Sequence, residues 1–422
     1  MNFKKEINVR TILGLTIVIL YLNILRPFSI YKILSPLCDV FIFLIICKHL
    51  LKNGIQKNKI PFFLMVTYFM LLTAFQMLNP NIPEISAGIL GFRKTALPFL
   101  MFYLGLFSFS KAKDVEYFLK QISLWSIPIL LYGVKQHFFS SNFDNLYIYS
   151  NNANMYTGLL FNQIRSVSIF AGPFHYGLFS AVIAVISLYM IDNVYAKKYK
   201  FFYIALFILS LIACYSSLTR TNLICLIVGV FVYKILTMKT TKALIILWLF
   251  GISSIFIFNY INNNSYKLLY SQNELIKMIG TILNYDEDSR LLGRTTGWST
   301  GLELLKEHPI IGYGTGSAGD TLQYNYFFEH HITSHNFLLK VFFETGIFGL
   351  LLIIILFLFI SIMMLHRISK TKSKEYKRNI TISFSILIIF LVNGIVATAI
   401  DTYPVSNLML LIMPMGINVE SQ

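Results

Sequence analysis

Residues 290–317 read R-L-L-G-R-T-T-G-W-S-T-G-L-E-L-L-K-E-H-P-I-I-G-Y-G-T-G-S, and residues 334–350 read S-H-N-F-L-L-K-V-F-F-E-T-G-I-F-G-L. Elsewhere the chain is largely a series of apolar runs. Here a polar segment gathers arginines, glycines, aromatics and histidines, then enters an apolar helix directly after His335. Polar and charged groups where a loop meets a membrane are costly to place and mark function.

The apolar runs set the class. Of 422 residues, 56% are apolar and 13% charged, against about 25% charged in a soluble domain. A membrane-spanning helix needs about 20 predominantly apolar residues. Membrane strands would alternate in polarity, and runs such as 350–360 do not. The expected fold is all-α, a polytopic membrane domain of about twelve helices at 11–25, 33–51, 60–78, 95–109, 121–139, 167–191, 201–217, 221–236, 243–261, 336–365, 380–400 and 403–416.

The net charge of +16 reads as topology. With a cytoplasmic N-terminus, the loops around 4–10, 48–59, 111–120, 197–200, 234–242 and 367–378 all fall inside and hold 22 of the 35 lysines and arginines. Such positive-inside bias calls for no nucleic acid. Both termini are then cytoplasmic, and three longer polar loops, 79–94, 140–166 and 262–335, face outward. No cleavable leader and no internal repeat are evident. Cys38, Cys47, Cys214 and Cys225 lie in apolar runs without C-x-x-C spacing and read as small buried hydrophobes.

Within the large loop, Trp298, Leu302 and Leu305 recur at i, i+4 and i+7, with Glu303, Lys306 and Glu307 opposite. The pattern predicts a short amphipathic helix over 298–308, lying in the membrane interface or packed on neighbouring loops. Gly312, Gly314 and Gly316 permit tight turns. The contexts required of phosphate-cradling glycine motifs are missing.

Four arginines are candidate anion ligands: Arg165 and Arg220 at outward helix boundaries, and Arg290 and Arg294 in the large loop. Guanidinium binds phosphate bidentately and keeps its charge, which suits a lipid diphosphate. Each alone also reads as a snorkelling side chain or a carboxylate's partner. With Thr333 or Ser334 as cap, His335 falls in the first helical turn, where the helix dipole favours the neutral ring a general base needs. On that wheel Phe342, Gly346 and Gly349 lie beneath His335, the two glycines admitting another helix. Glu344 projects from the opposite face in a supporting role. His330, His331 and His335 lack the H-E-x-x-H spacing of a zinc helix, and no metal is expected. Tyr313, Tyr324, Tyr326, Phe327 and Phe328 suit either sugar stacking or an interfacial belt. The D-E-D at 286–288 reads as a solvated turn.

These residues in this order (R-T-T-G-W, H-P-I-I-G-Y-G-T-G, S-H-N-F-L-L and E-T-G-I-F-G, preceded by R-S-V-S-I-F-A-G-P and S-L-T-R-T-N) resemble the signature of the bacterial O-antigen polymerase (Wzy-type) and O-antigen ligase superfamily. The resemblance runs from Arg165 to Leu350. It implies an inner-membrane, metal-independent glycosyltransferase without cofactor, acting at the outer face on undecaprenyl-diphosphate-linked glycan as donor and acceptor. Membrane lipid and a chain-length regulator are the candidate partners. By motif, His335 is the implied catalytic residue. Arg165, Arg220 and Arg294 are the implied diphosphate ligands, with Arg290 ranked below them. Trp298, Gly312, Gly314, Asn336, Glu344, Gly346 and Gly349 support them. Thr219 stands where the family more often has serine. The favoured reading is a polysaccharide polymerase of O-antigen or capsule synthesis. The first alternative is a ligase that moves glycan to a lipid A core or a protein. The second, a carrier for lipid-linked sugars, fits less well because the polar mass lies on one side.

Overall fold

The computed structural model describes residues 6–82, 84–149, 159–160, 163–194, 196–271, 276–277, 280, 289–318, 332 and 334–418. The helices are α1 Val9–Tyr21, α2 Tyr31–Asn53, α3 Ile60–Phe75, α4 Ile85–Thr95, α5 Phe99–Leu106, α6 Ala112–Phe138 and α7 Asn145–Ile148. After the two-residue strands β1 Leu159–Leu160 and β2 Gln163–Ile164 come α8 Pro173–Asn193, α9 Lys197–Ser216, α10 Arg220–Thr237, α11 Thr240–Asn263 and α12 Ser265–Leu269. The chain closes with α13 Ser289–Leu304, α14 Phe337–Lys370, α15 Lys374–Val396, α16 Val405–Ile412 and α17 Met415–Asn418.

The chain is an all-α polytopic membrane protein. Hydrocarbon offers backbone groups no partner, so a spanning segment must satisfy its own. Among the described residues nine helices are long and apolar enough to cross a membrane, and the helices at 9–25 and 405–418 are shorter. The predicted segment at 121–139 lies within α6, a 27-residue helix that also carries Lys113, Asp114, Glu116, Lys120 and Lys135.

One predicted boundary moves. Residues 85–94, expected in a polar loop, form most of α4, which with α5 makes one 22-residue span. The R-K pair that interrupts the apolar pattern is tolerated because Arg93 is compensated: its Nε donates to Asp39 Oδ2 at 2.8 Å and its Nη2 to Ser35 Oγ at 2.6 Å.

Helix α8 is the hub. Its residues from Tyr176 to Met190 are buried on every face, the mark of a helix enclosed by others, and α6, α9, α10, α15 and α16 pack around it. At the opposite extreme, α11 keeps Ala243 as its one buried residue.

Helix α14 is broken where it meets the glycine-rich loop. Gly346 has φ 66° and ψ −167°, a conformation that strongly favours glycine. The break strands carbonyls of the first half and amides of the second, and residues 309–316 satisfy them. Tyr313 N donates to Phe343 O at 2.8 Å, Gly314 N to Glu344 O at 3.1 Å, and Ile347 N to Pro309 O at 3.0 Å. Gly312, at φ 68°, is pressed on the same point: a Cβ there would lie 2.5 Å from Phe343 O. This corrects the expected wheel, since the 3.6-residue register does not continue through Gly346. Gly346 admits the Ile310–Ile311 backbone, and Gly349 admits the Thr345 side chain beside Leu72. Neither opens a path for another helix beneath His335.

Beyond α6, Asp144 Oδ2 accepts from Lys135 Nζ at 2.5 Å, Ser141 N at 2.6 Å and Ser141 Oγ at 2.9 Å. Burial works against the charged carboxylate, but the ammonium and the two Ser141 donors outweigh it, holding Asp144 below the usual carboxylate range.

Two outcomes follow. Gly346→Ala would place a Cβ 2.0 Å from Ile310 O at positive φ, so it should cost more than the ~1–2 kcal/mol of a left-handed residue alone and lower the unfolding temperature in detergent. Gly251→Ala in α11, where a Cβ meets nothing within 4 Å, is the matched control and should leave that temperature unchanged or raised. For Asp144, a folded pKa below the unfolded one adds stability above the unfolded value, and that stability disappears as pH falls through the folded value. Asp144→Asn should therefore be less stable than the parent at pH 6, with the difference closing as pH falls below about 4 in thermal unfolding read across pH.

Candidate active site at the N-terminal end of helix α14

The start of α14 is fixed by Asn336. Its Oδ1 accepts from Leu339 N at 3.0 Å, closing the N-terminal turn, while its Nδ2 donates to Ile395 O of α15 at 2.9 Å. A serine or threonine hydroxyl at position 333 or 334 was the expected cap. Asparagine caps equally well, and its amide adds a donor that ties two helices together. His335 accordingly lies one residue outside the helix rather than in its first turn, with φ 41°. That left-handed backbone is uncommon for non-glycine residues, though less so for histidine.

The segment before His335 is held by α13. The Trp298 indole N–H donates to Ser334 O at 2.5 Å. The inward stripe of α13 and the turn that follows it is Trp298, Gly301 and Leu305, with Leu302 53% exposed and Leu305 2% exposed. The predicted Trp298–Leu302–Leu305 face is thus corrected: Gly301 takes the inward place because Ile332 presses on it, 2.7 Å from where a Cβ would stand. Arg294, half-buried, lies one turn before Trp298 on the same helix. Arg290 belongs to α13, but its side chain lies outside the described residues, as do Thr333, His330, His331, Tyr324, Tyr326, Phe327, Phe328 and the D-E-D run. Beyond α13, Tyr313 stacks on Phe343 with ring centroids 4.6 Å apart and donates to Glu307 Oε2 at 3.1 Å. Burial, with the Glu307 carboxylate beside it, pushes the Tyr313 hydroxyl up to about 12, so it remains a neutral donor.

Arg165 and Arg220 occupy neighbouring turns. Arg165, 2% exposed, donates from Nε to Ser217 O at 3.4 Å and lies over the Phe174 ring at 5.1 Å. Arg220 opens α10 immediately after that turn. The Arg165 segment is seated by α6, where Gln136 Oε1 accepts from Val167 N and Ser168 N at 3.1 and 2.7 Å and Ser166 Oγ donates to Gly133 O at 2.6 Å.

A run of polar contacts joins the two halves. Asn222 Nδ2 donates to Phe174 O at 2.9 Å and to Thr219 Oγ1 at 2.6 Å, and its Oδ1 accepts from Asn393 Nδ2 at 3.4 Å. Asn393 lies two residues before Ile395, whose carbonyl receives Asn336. This run leads from the turn that holds Arg165 and precedes Arg220 to Asn336, the neighbour of His335, and Trp298 reaches the same segment through Ser334. Asn222 and Asn393 escaped the sequence reading, although Asn222 stands inside the quoted S-L-T-R-T-N.

Glu344 faces away from this end. It is fully buried, accepting from Thr95 Oγ1 at 2.7 Å and from Gly316 N at 3.1 Å. It ties the glycine loop and α4 to the first half of α14. Among the described residues no three His, Cys, Asp or Glu side chains come together as metal ligands.

No curated protein matches the chain. A family model described as O-antigen ligase matches residues 205–354, an interval that contains Arg220, Arg294, Trp298, the glycine loop, His335 and the broken half of α14. This match supports placing the chain in the O-antigen polymerase and O-antigen ligase superfamily.

Proposed function

We propose that the protein is a polysaccharide polymerase of the bacterial inner membrane. It would transfer a growing undecaprenyl-diphosphate-linked glycan onto a lipid-linked repeat unit at the outer face, without a metal. The observation that supports this reading is the run of polar contacts from the turn between buried Arg165 and helix-opening Arg220, through Asn222, Asn393 and Ile395, to Asn336, the neighbour of His335. A hydroxyl oxygen of the acceptor sugar attacks the anomeric carbon of the donor glycan. The bond from that carbon to the diphosphate oxygen breaks, and undecaprenyl diphosphate leaves with the electron pair. His335 accepts the hydroxyl proton. Arg165, Arg220 and Arg294 supply fixed positive charge where the leaving diphosphate gains negative charge, an arrangement that lowers the barrier without reorganisation. Arg290, two turns before Trp298 on α13, is the fourth candidate.

The matched family's description favours a second reading, a ligase that delivers finished glycan to a lipid A core or a protein. The same residues would perform that chemistry, and only the acceptor differs.

The test uses purified protein in detergent with one undecaprenyl-diphosphate-linked repeat unit and no other acceptor, products being resolved by size. A ladder of lipid-linked oligomers is expected. His335→Ala should reduce it by about 100-fold or more, and Arg294→Ala by a comparable factor. Full activity in His335→Ala would remove the base assignment. Absence of a ladder, with transfer restored by a core lipid or protein acceptor, would establish the ligase.

A further inference from the structure

A lysine buried one turn inside α14 plays no part in the reaction outlined above. The Lys340 side chain is 2% exposed and its Nζ lies 2.5 Å from Asp401 Oδ1, with Glu344 Oε1 at 4.0 Å. Asp401 ends the short 3-10 turn Ala399–Asp401 between α15 and α16. The last turn of α15, just before that connection, packs on the first turn of α14: Asn336 bonds Ile395 O, and Gly394 lies against Phe337. The pair thus sits within about one helical turn, some 6 Å of rise, of the cap that follows His335.

The three members of this cluster are not alike. Both Glu344 oxygens already accept hydrogen bonds, from Thr95 and Gly316. Asp401 uses one oxygen for Lys340, while its Oδ2 is buried with no hydrogen-bond partner among the described residues. A buried carboxylate oxygen without a donor is costly and rare in native proteins. Asp401 is also the most exposed of the three, at 13% of its side chain. Ser406 Oγ and Asn407 Oδ1, in the first turn of the following helix, are likewise buried without partners.

Charge decides what would satisfy Asp401. A phosphate would be repelled by the carboxylate, and the Lys340 ammonium at 2.5 Å disfavours a cation at the other oxygen. An ionised carboxylate only accepts hydrogen bonds. What remains is a neutral donor, and a sugar hydroxyl or acetamido N–H presented beside His335 has that chemistry. We infer that Asp401, held in place by Lys340, accepts a hydrogen bond from a hydroxyl or amide N–H of the acceptor glycan and so sets which acceptor hydroxyl faces His335. The inference rests on the proposed glycan-transfer reading and adds a neutral sugar subsite to its cationic diphosphate subsite.

Direct binding to the full-length protein in detergent tests it with two probes. One is the repeat-unit oligosaccharide released by mild acid from the lipid-linked pool of the producing cells; the other is farnesyl diphosphate, standing in for the donor lipid. The double variant Lys340→Met/Asp401→Leu removes both charges of the pair together, a replacement that folded proteins tolerate, and Glu344 keeps its hydrogen bonds from Thr95 and Gly316. It should weaken oligosaccharide binding by about tenfold or more while farnesyl diphosphate binding stays within about twofold of the parent. Asp401→Asn should weaken the oligosaccharide likewise, whereas Lys340→Arg, which keeps the ion pair, should stay close to the parent. The inference is overturned if the parent does not bind the oligosaccharide, if Asp401→Asn binds it like the parent, or if both probes weaken together. Binding is read without turnover, so a missing product ladder would count against the transfer reading and leave the subsite standing.

Discussion

The interior of a bilayer supplies no hydrogen-bond partners, so an interrupted helix needs another segment to complete it. In this protein residues 309–316 complete α14. Three backbone bonds cross the break at Gly346, and Glu344 adds a fourth through Gly316 N. The same loop reaches α3 and the turn after it: Thr315 Oγ1 donates to Thr73 O at 2.7 Å, and Gln76 Nε2 donates to Ile311 O at 2.6 Å. The first half of α14, which follows directly from His335, is therefore positioned by a loop that grips α3 and α4 as well.

The second constraint is the convergence of helix ends. α8 and α10 begin, and α15 finishes, around Asn222, with asparagine side chains bridging where helices leave backbone groups unmet. Backbone amides at helix starts carry partial positive charge and favour anions. The Arg165 and Arg220 guanidinium groups add full charges to that region. At the other side of the same end, Lys340 and Asp401 form a pair that is close to neutral. Under the proposed glycan transfer, a charged leaving group and a neutral acceptor would call for this division of labour.

Much of the fold was legible because it rests on composition and length. Runs of apolar residues identify helices whatever their neighbours, and each predicted segment coincides with a helix or a broken pair. The reading failed where long-range compensation intervenes. Arg93 and Lys94 looked like loop residues because Asp39, 54 positions earlier, was not visible as a partner. Leu302 looked like a core residue because a hydropathy pattern counts side-chain size, whereas Gly301 is buried for having none. Asn336 was passed over as the cap in favour of the preceding hydroxyl, its second bond to Ile395 being a tertiary fact. The motif residues proposed for the site rest on resemblance. Lys340 and Asp401, 61 positions apart, lie in no motif, and only the folded chain pairs them.

The discontinuity in α14 has a mechanical consequence. The segment after Gly346 runs to Lys370 and turns many large apolar side chains outward, among them Phe348, Leu351, Ile355, Leu358 and Ile362. A helix embedded in lipid tilts to match the local hydrocarbon thickness. An unbroken rod would carry that tilt straight to its tip and swing His335 relative to Arg165 and Arg220. At Gly346 that rod is interrupted: the short first half is held by the glycine loop, α4 and α15, while the long half packs on α3 and α15. A tilt of the long half is therefore not carried to the site through one continuous helical rod.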